Sequence, residues 1–346
     1  MLKQRKNSLL NYLNKHGEAT ATELLAYLSE SGTTVSKPTL ARDLQRLIKE
    51  KEIKSVGKGP GTKYQPIGQN IFLQNIDIDR YFENETDRRD ARRDFNWHFF
   101  TDYNQAFSGF ETKQLTELND RQKNKINGMT PAERQKEFER ITVELSWRSS
   151  HLEGNTYSLL DTEALIKERT EAPGHPHAEA IMILNHKKAL DYILANSKKF
   201  RSITPAMIRE IHALFAKDLK IVGGFRAGQV GIIGTAYRPI DNTHQIQEAL
   251  EKACALINRA EFPLEKCLLA VLLVSYIQPF VDGNKRTARI IGNAMLLAYD
   301  WCPLSYRSVD EIAYKKALIL FYEQNNLRHF KNIISEQFAF AVNNYF

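Results

Sequence analysis

Two basic residues three apart, Arg286 and Arg289, follow a short polar turn, Asp282-Gly283-Asn284, which lies between two apolar stretches. The first stretch, Cys267 to Ile277, is apolar nearly all round and predicts a helix buried in the centre of a domain. That helix should end at Gln278, because the residue before Pro279 is pushed away from helical angles. A second helix is expected to begin near Lys285, so the turn should present backbone amides at a helix N-terminus, which favours anions. Arg286 and Arg289 then share one face of its first turn. Cations there oppose the helix dipole, so the arrangement asks for a negative ligand or an acidic partner. Two solvated arginines on a surface helix would be the plainer reading, and the apolar flanks weigh against it.

The rest of the chain must position these residues. With 346 residues, 42% apolar and 10% aromatic, there is room for two or three domains with a sizeable core. The longest apolar stretch is too short to span a bilayer. The N-terminal residues lack the apolar segment of a secretory signal, and Cys254, Cys267 and Cys302 lack metal-ligand spacing. These features lead us to expect a soluble, cytoplasmic protein with reduced thiols. The net charge is +7, and residues 1–67 hold twelve Lys and Arg against six Asp and Glu, so most of the excess lies in the first fifth.

Those 67 residues read as a domain of three helices and a glycine-punctuated strand pair. The first helix runs roughly from Lys3 to Lys15, the second starts at the capping residue Thr20, and the third starts at Ser36-Lys37-Pro38. Residues 52–67 read as strand, turn, strand. This order resembles a winged helix-turn-helix domain. The resemblance implies a third helix presenting Lys37, Thr39, Arg42, Gln45, Arg46 and Lys49 to DNA, with Lys54, Lys58 and Lys63 on the wing. Winged helices also serve as protein-interaction modules, and the local excess of positive charge favours DNA.

Residues 68–130 read as linker and packing segments, with a helix over residues 87–100 and a polar loop over residues 117–130. From residue 131 to 346 helical periodicity dominates, apart from a β-hairpin expected between Gly224 and Pro239. His212 and His244 sit in no assignable motif and read as packing or surface histidines.

The run Gln278-Pro279-Phe280-Val281-Asp282-Gly283-Asn284-Lys285-Arg286-Thr287-Ala288-Arg289 resembles the signature of the Fic (Fido) family, H-P-F-x-D/E-G-N-G/K-R-x-x-R, at every defined position except the first. The resemblance implies a mainly α fold: a Fic-type helical domain with a β-hairpin flap, joined here to the N-terminal winged-helix domain with its small β wing. It also implies AMP transfer from ATP to a Ser, Thr or Tyr hydroxyl of a target protein. Phe280 would anchor the loop, Asp282 would hold Mg2+, and the Gly283 and Asn284 amides with the Asn284 side chain would cradle the phosphates. Arg286 would contact the phosphates, and Arg289 would pair with the terminal one. Lys285, counted with them among the nucleotide-binding residues, is the less common residue at its position and leaves the transferred group open.

About 130 residues upstream, Ser149, Glu153 and Gly154 fit the family's inhibitory pattern S/T-x-x-x-E-G/N. A carboxylate near a helix C-terminus opposes the dipole and is relieved by a cation, and Arg289 is the expected partner. The hairpin resembles the flap that holds a target peptide by backbone pairing, which would place Gly231, Ile232, Ile233 and Gly234 beside the site.

Gln278 stands where the family has its catalytic histidine. A neutral amide cannot accept a proton, so general-base catalysis worth about 10²–10⁴-fold is lost, whereas nucleotide binding need not suffer. A single nucleotide change turns a His codon into Gln, so a natural loss and an introduced change fit equally. Two readings follow. One is an adenylyltransferase-like protein held by Glu153 and disabled at Gln278. The other is a DNA-binding regulator that uses the helical domain as a nucleotide sensor, scaffold or homo-oligomer platform.

Overall fold

A computed structural model describes residues 2–50, 52–66 and 70–345. The chain divides into two compact units, Met1–Asp77 and Ile78–Phe346. The domain boundary expected at residue 67 lies outside the described residues. Residues 78–130, expected as linker, belong to the second unit.

The first unit runs α1 (Leu2–His16), β1 (Ala19–Thr20), α2 (Ala21–Glu30), α3 (Lys37–Lys49), β2 (Ile53–Val56) and β3 (Lys63–Pro66). The three strands form an antiparallel sheet in the order β1-β3-β2, with Tyr64 paired to Ala19 on one side and Ser55 on the other. Its helices start where the chain supplies caps. The Thr20 hydroxyl accepts from the Glu23 amide at 3.3 Å while the Glu23 carboxylate accepts from the Thr20 amide at 2.7 Å, a reciprocal capping box. Ser36 caps α3, and Pro38 lies in its first turn. Leucines at helical spacing, among them Leu24, Leu28, Leu40, Leu44 and Leu47, meet Ile53 in one buried core.

The second unit is helical. It comprises α4 (Ile78–Phe82), α5 (Phe99–Asp102), α6 (Gly109–Gly128), α7 (Pro131–His151), α8 (Leu159–Glu168), α9 (His177–Ala195), α10 (Pro205–Ala216), α11 (Thr243–Arg259), α12 (Pro263–Ile277), α13 (Asn284–Ala298), α14 (Glu311–Gln324) and α15 (Arg328–Asn344). Every residue of α12 from Leu264 to Ile277 is buried, the charged Glu265 and Lys266 as well as the apolar run from Cys267 that predicted it. The neighbouring α13 packs tightly along it. At Gly292 an added Cβ would lie 2.8 Å from Val271 Cγ2 and 3.0 Å from Cys267 Sγ, so only glycine lets the two helices approach this closely. All three cysteines are free and buried.

Three expectations fail here. Residues 117–130 are not a loop, because α6 continues through them to Gly128. Their Glu, Lys, Gln and Arg are good helix formers, and polarity alone misread an exposed helix face. Residues 87–98 are mostly irregular, and helix begins only at Phe99. Their backbone is satisfied by other elements instead: the Arg92 amide donates to the Glu323 carbonyl, the Arg93 carbonyl accepts from the Arg238 amide, and the Asn96 amide donates to Tyr276 Oη. Finally, residues 224–239 contain no strand, so the expected β-hairpin is absent. The segment is a loop with Gly224, Gly228 and Gly234 at positive φ, and its polar groups bond mainly to side chains and to segments outside it. Among the described residues no helix is long and apolar enough to cross a membrane.

Candidate functional site

The loop between α12 and α13 is held from within. Gln278 ends α12 in the left-handed region, at φ 50° and ψ 59°, rather than in the extended region expected of a residue before proline. Phe280 is fully buried, and the Asn284 carboxamide closes the turn around it. Asn284 Oδ1 accepts from the Phe280 amide and Asn284 Nδ2 donates to the Phe280 carbonyl, both at 2.8 Å. The Asn284 side chain expected to touch a ligand is therefore engaged in shaping the loop, and the Gly283 amide is taken by Asp282 Oδ1, so the donors left to an anion are the first amides of α13.

His212 of α10 completes the support. Its ring stacks on Phe280 with centroids 3.6 Å apart and planes 4° from parallel, and its Nε2 lies 2.9 Å from the Asp282 carbonyl. A carbonyl only accepts, so Nε2 carries the proton. Burial lowers the imidazole below its ordinary value and keeps it neutral. Gly283, at φ 81°, turns the chain beside this ring. His212 thus packs as the sequence suggested, but its link to the loop could not be read from any spacing in the chain.

The charged residues divide by depth. The Asp282 side chain is 63% exposed; its Oδ1 accepts from the Gly283 amide at 2.6 Å, and its Oδ2 pairs with Arg286 at 3.0 Å. Arg286 is itself buried, and its Nε and Nη1 have no partner. Buried unpaired guanidinium nitrogens beside a helix N-terminus fit an anion.

Arg289 is wholly buried. Its Nε donates to Ser149 Oγ at 2.8 Å, Nη2 to the Ser149 carbonyl at 2.7 Å, and Nη1 to Glu153 Oε1 at 2.9 Å and Tyr314 Oη at 3.3 Å. Glu153 stands in the turn after α7, just before Gly154 at φ 95°. Its other oxygen, Oε2, accepts from Lys285 Nζ at 3.0 Å. Burial alone would raise the Glu153 carboxyl, but the charges and hydrogen bonds of Arg289 and Lys285 outweigh it and hold the group below the ordinary range. The structure thus brings Ser149, Glu153, Lys285 and Arg289 together, while Arg286 pairs with Asp282 instead. His186 of α9 lies close enough to the arginines for their charges, after burial itself, to push it well below its usual value. Sequence reasoning did not single it out.

Gln278 is 8% exposed, and its Nε2 donates to the Ser275 carbonyl at 2.6 Å. Its backbone is tied to the glycine-rich loop by the buried Arg226, whose Nε donates to the Gln278 carbonyl at 2.6 Å and whose Nη2 donates to the Ile240 carbonyl at 2.5 Å. The Arg226 amide also donates to the Pro279 carbonyl at 3.0 Å. Beyond this base the loop is anchored by the buried Glu323, whose Oε1 accepts from Thr235 Oγ1 at 2.7 Å and from the Ala236 amide at 3.1 Å. At the tip, Gly231, Ile233 and Gly234 are exposed, Ile233 at 98%, and Ile232 is half-buried. The Gly234 carbonyl accepts from Arg89 at 2.6 Å. Neither Arg226 nor Glu323 was distinguished as an anchor by the sequence. His244 is exposed in the first turn of α11, where its amide donates to the capping residue Asn242.

In the first unit, Lys37, Arg42, Gln45, Arg46 and Lys49 are exposed on α3, and Thr39 is half-buried against Ser36. Arg46 pairs with Glu50 at 2.9 Å. Lys54 and Lys58 are exposed near the β2–β3 turn, and Lys63 pairs with Glu18.

Residues 202–296 match the family model described as Fic/DOC family, so the second unit carries a Fic/DOC-family region. The chain is 31% identical over 184 residues to the protein adenylyltransferase Fic of Nematostella vectensis, covering 50% of this chain and 41% of that protein. It is 27% identical over 193 residues to the one of Drosophila willistoni, covering 55% and 39%. The chain therefore spans about two-fifths of the length of these curated relatives. A similar fold occurs in Fic-1 from C. elegans, with a TM-score of 0.56 and 21% identity over 68% of this chain and 70% of that one. A Fic domain containing signaling protein from Bacteroides thetaiotaomicron aligns with a TM-score of 0.57 and 22% identity over 67% and 94%.

Proposed function

We propose that the Fic/DOC-family region binds a nucleoside triphosphate with Mg2+ in the manner of protein adenylyltransferases, is held off by Glu153, and is impaired in transfer by Gln278. The observation that carries this reading is the buried Arg289, engaged by the Glu153 carboxylate at the end of a loop shaped from within. A guanidinium with no solvent access that holds a carboxylate can hold a phosphate oxygen in the same way.

Each residue then has a part to play. The first amides of α13 face the phosphates, and Arg286 supplies the buried nitrogens that lack a partner. Asp282, with an exposed carboxylate, would hold Mg2+ together with phosphate oxygens, as magnesium sites with one or two carboxylates do. The ion, when bound, neutralises phosphate charge. Glu153 denies Arg289 to the terminal phosphate. At the 278 position a target Ser, Thr or Tyr hydroxyl would meet an amide that can hydrogen-bond but cannot take its proton, so transfer is slowed by about 10²–10⁴-fold. The glycine-rich loop from Gly231 to Gly234, with its tip exposed, would receive the target backbone.

Isothermal titration with Mg-ATP should give binding, and labelled ATP should give negligible transfer by the chain as it stands. Gln278→His combined with Glu153→Gly should produce labelled protein. Absence of label despite confirmed binding would sink the transferase reading.

A second reading concerns the first unit. Its helix, strand, helix, helix, strand, strand order and the exposed Lys37, Arg42 and Lys49 on α3 favour a winged-helix DNA-binding domain. Phosphate contacts require a DNA affinity that falls steeply with salt, and a mobility shift unaffected by salt would reject it.

A further inference from the structure

Glu153 is held by two cations of unlike freedom. Lys285 and Arg289 lie four apart on one face of α13 and take different oxygens of the same carboxylate, at 3.0 Å and 2.9 Å. Arg289 is fully buried and keeps three further contacts, to Ser149 Oγ, the Ser149 carbonyl and Tyr314 Oη. Those three contacts do not depend on Glu153. Lys285 is different. Its side chain is 32% exposed, and among the described residues its only recorded partner is Glu153. Its ammonium carries three donors on a flexible stem, so it follows whichever anion is available.

Resting on the nucleotide reading above, we infer that Lys285 is a specificity-determining residue for the terminal phosphate of the nucleotide and, in the resting protein, the second latch on Glu153. The carboxylate occupies a position bridging the two cations, which an incoming anionic group must take over. A triphosphate has a terminal group to offer in exchange, and a diphosphate lacks it. Lys285 therefore has two opposed effects on triphosphate binding. It strengthens the competing carboxylate while Glu153 is present, and it strengthens the ligand once Glu153 is gone. The tethered carboxylate competes intramolecularly, so the first effect is substantial even though Lys285 is partly exposed.

This predicts a non-additive cycle. Binding of Mg-ATP and Mg-ADP is measured calorimetrically on the full chain and on Lys285→Met, Glu153→Gln and the double variant. Lys285→Met alone should leave ATP affinity within about twofold, because the loss of a phosphate contact is offset by a weaker latch. In the Glu153→Gln background the same change should weaken ATP about tenfold, the size of one charge-assisted hydrogen bond, while ADP moves by less than about twofold. Lys285→Arg in that background should retain the ATP preference. Equal weakening of ATP in both backgrounds would overturn the latch, and equal weakening of ATP and ADP would overturn the terminal-phosphate assignment. If Glu153→Gln, with an unchanged thermal unfolding midpoint, binds neither nucleotide, the nucleotide reading itself fails and this inference falls with it.

Discussion

The α12–α13 loop and the glycine-rich loop from Gly224 to Pro239 meet at Gln278 and Pro279 and are stabilised in different ways. The first is closed mainly by its own residues, with Asn284 bridging the Phe280 backbone and Asp282 accepting from Gly283, and His212 of α10 adds one bond and a ring stack from outside. The second has no strand pairing and depends on side chains from outside its tip, namely Arg226 at its base, Glu323 beneath Thr235 and Ala236, and Arg89 on Gly234. A segment closed from within holds its geometry before any ligand arrives. A segment pinned at a few points depends on each of those anchors for its shape. The two are coupled by Arg226, which bonds both to the Gly228 carbonyl of the glycine-rich loop and to the Gln278 carbonyl.

Breaking the anchors one at a time tests this contrast. The joint largest effect is expected for Arg289→Met, which leaves the half-buried Glu153 without its main partner and should destabilise the second unit by about 3 kcal/mol in chemical denaturation. Arg226→Met leaves carbonyls of Gly228, Ile240 and Gln278 without donors and should cost about 3 kcal/mol. In hydrogen exchange its damage should reach both loops; exchange confined to the glycine-rich loop would refute the coupling. His212→Phe keeps a ring on Phe280 and removes only the bond to Asp282, so about 1 kcal/mol is expected, with faster exchange at Gly283 and Asn284.

The pH dependence of the clamp has a defined sign. The folded Glu153 carboxyl lies below its ordinary value of 4.5, so its contribution is complete above that pH and is lost as pH falls through the lowered folded value. Between neutral pH and that acid range, the native chain should therefore lose more stability than Glu153→Gln. The smallest effect is expected at the tip. Ile233→Ser should change stability by less than about 0.5 kcal/mol, because the side chain is almost fully exposed, and any larger loss would show that the tip is packed.

Much of this was legible in the chain. Leucine spacing and the caps at Thr20 and Ser36 marked the helices of the first unit, because local periodicity and capping act over a few residues. The apolar run before Gln278 marked α12 as buried, and the unfavourable charges Arg289 and Glu153 each called for a partner. Where the expectation rested on local composition alone it failed: the polar end of α6 read as a loop, and the glycine-rich segment read as a hairpin.

What the sequence determined by itself was the loop with its arginines and the acid that answers one of them, since helix ends and dipoles make charge demands that are visible residue by residue. Only the tertiary structure decided that Lys285 shares that acid, that Asn284 faces into its own turn, and that His212, Arg226 and Glu323 hold the site in place. Those contacts join groups from 4 to 132 residues apart, and no local preference of the chain specifies which distant side chain will arrive to satisfy a buried polar group.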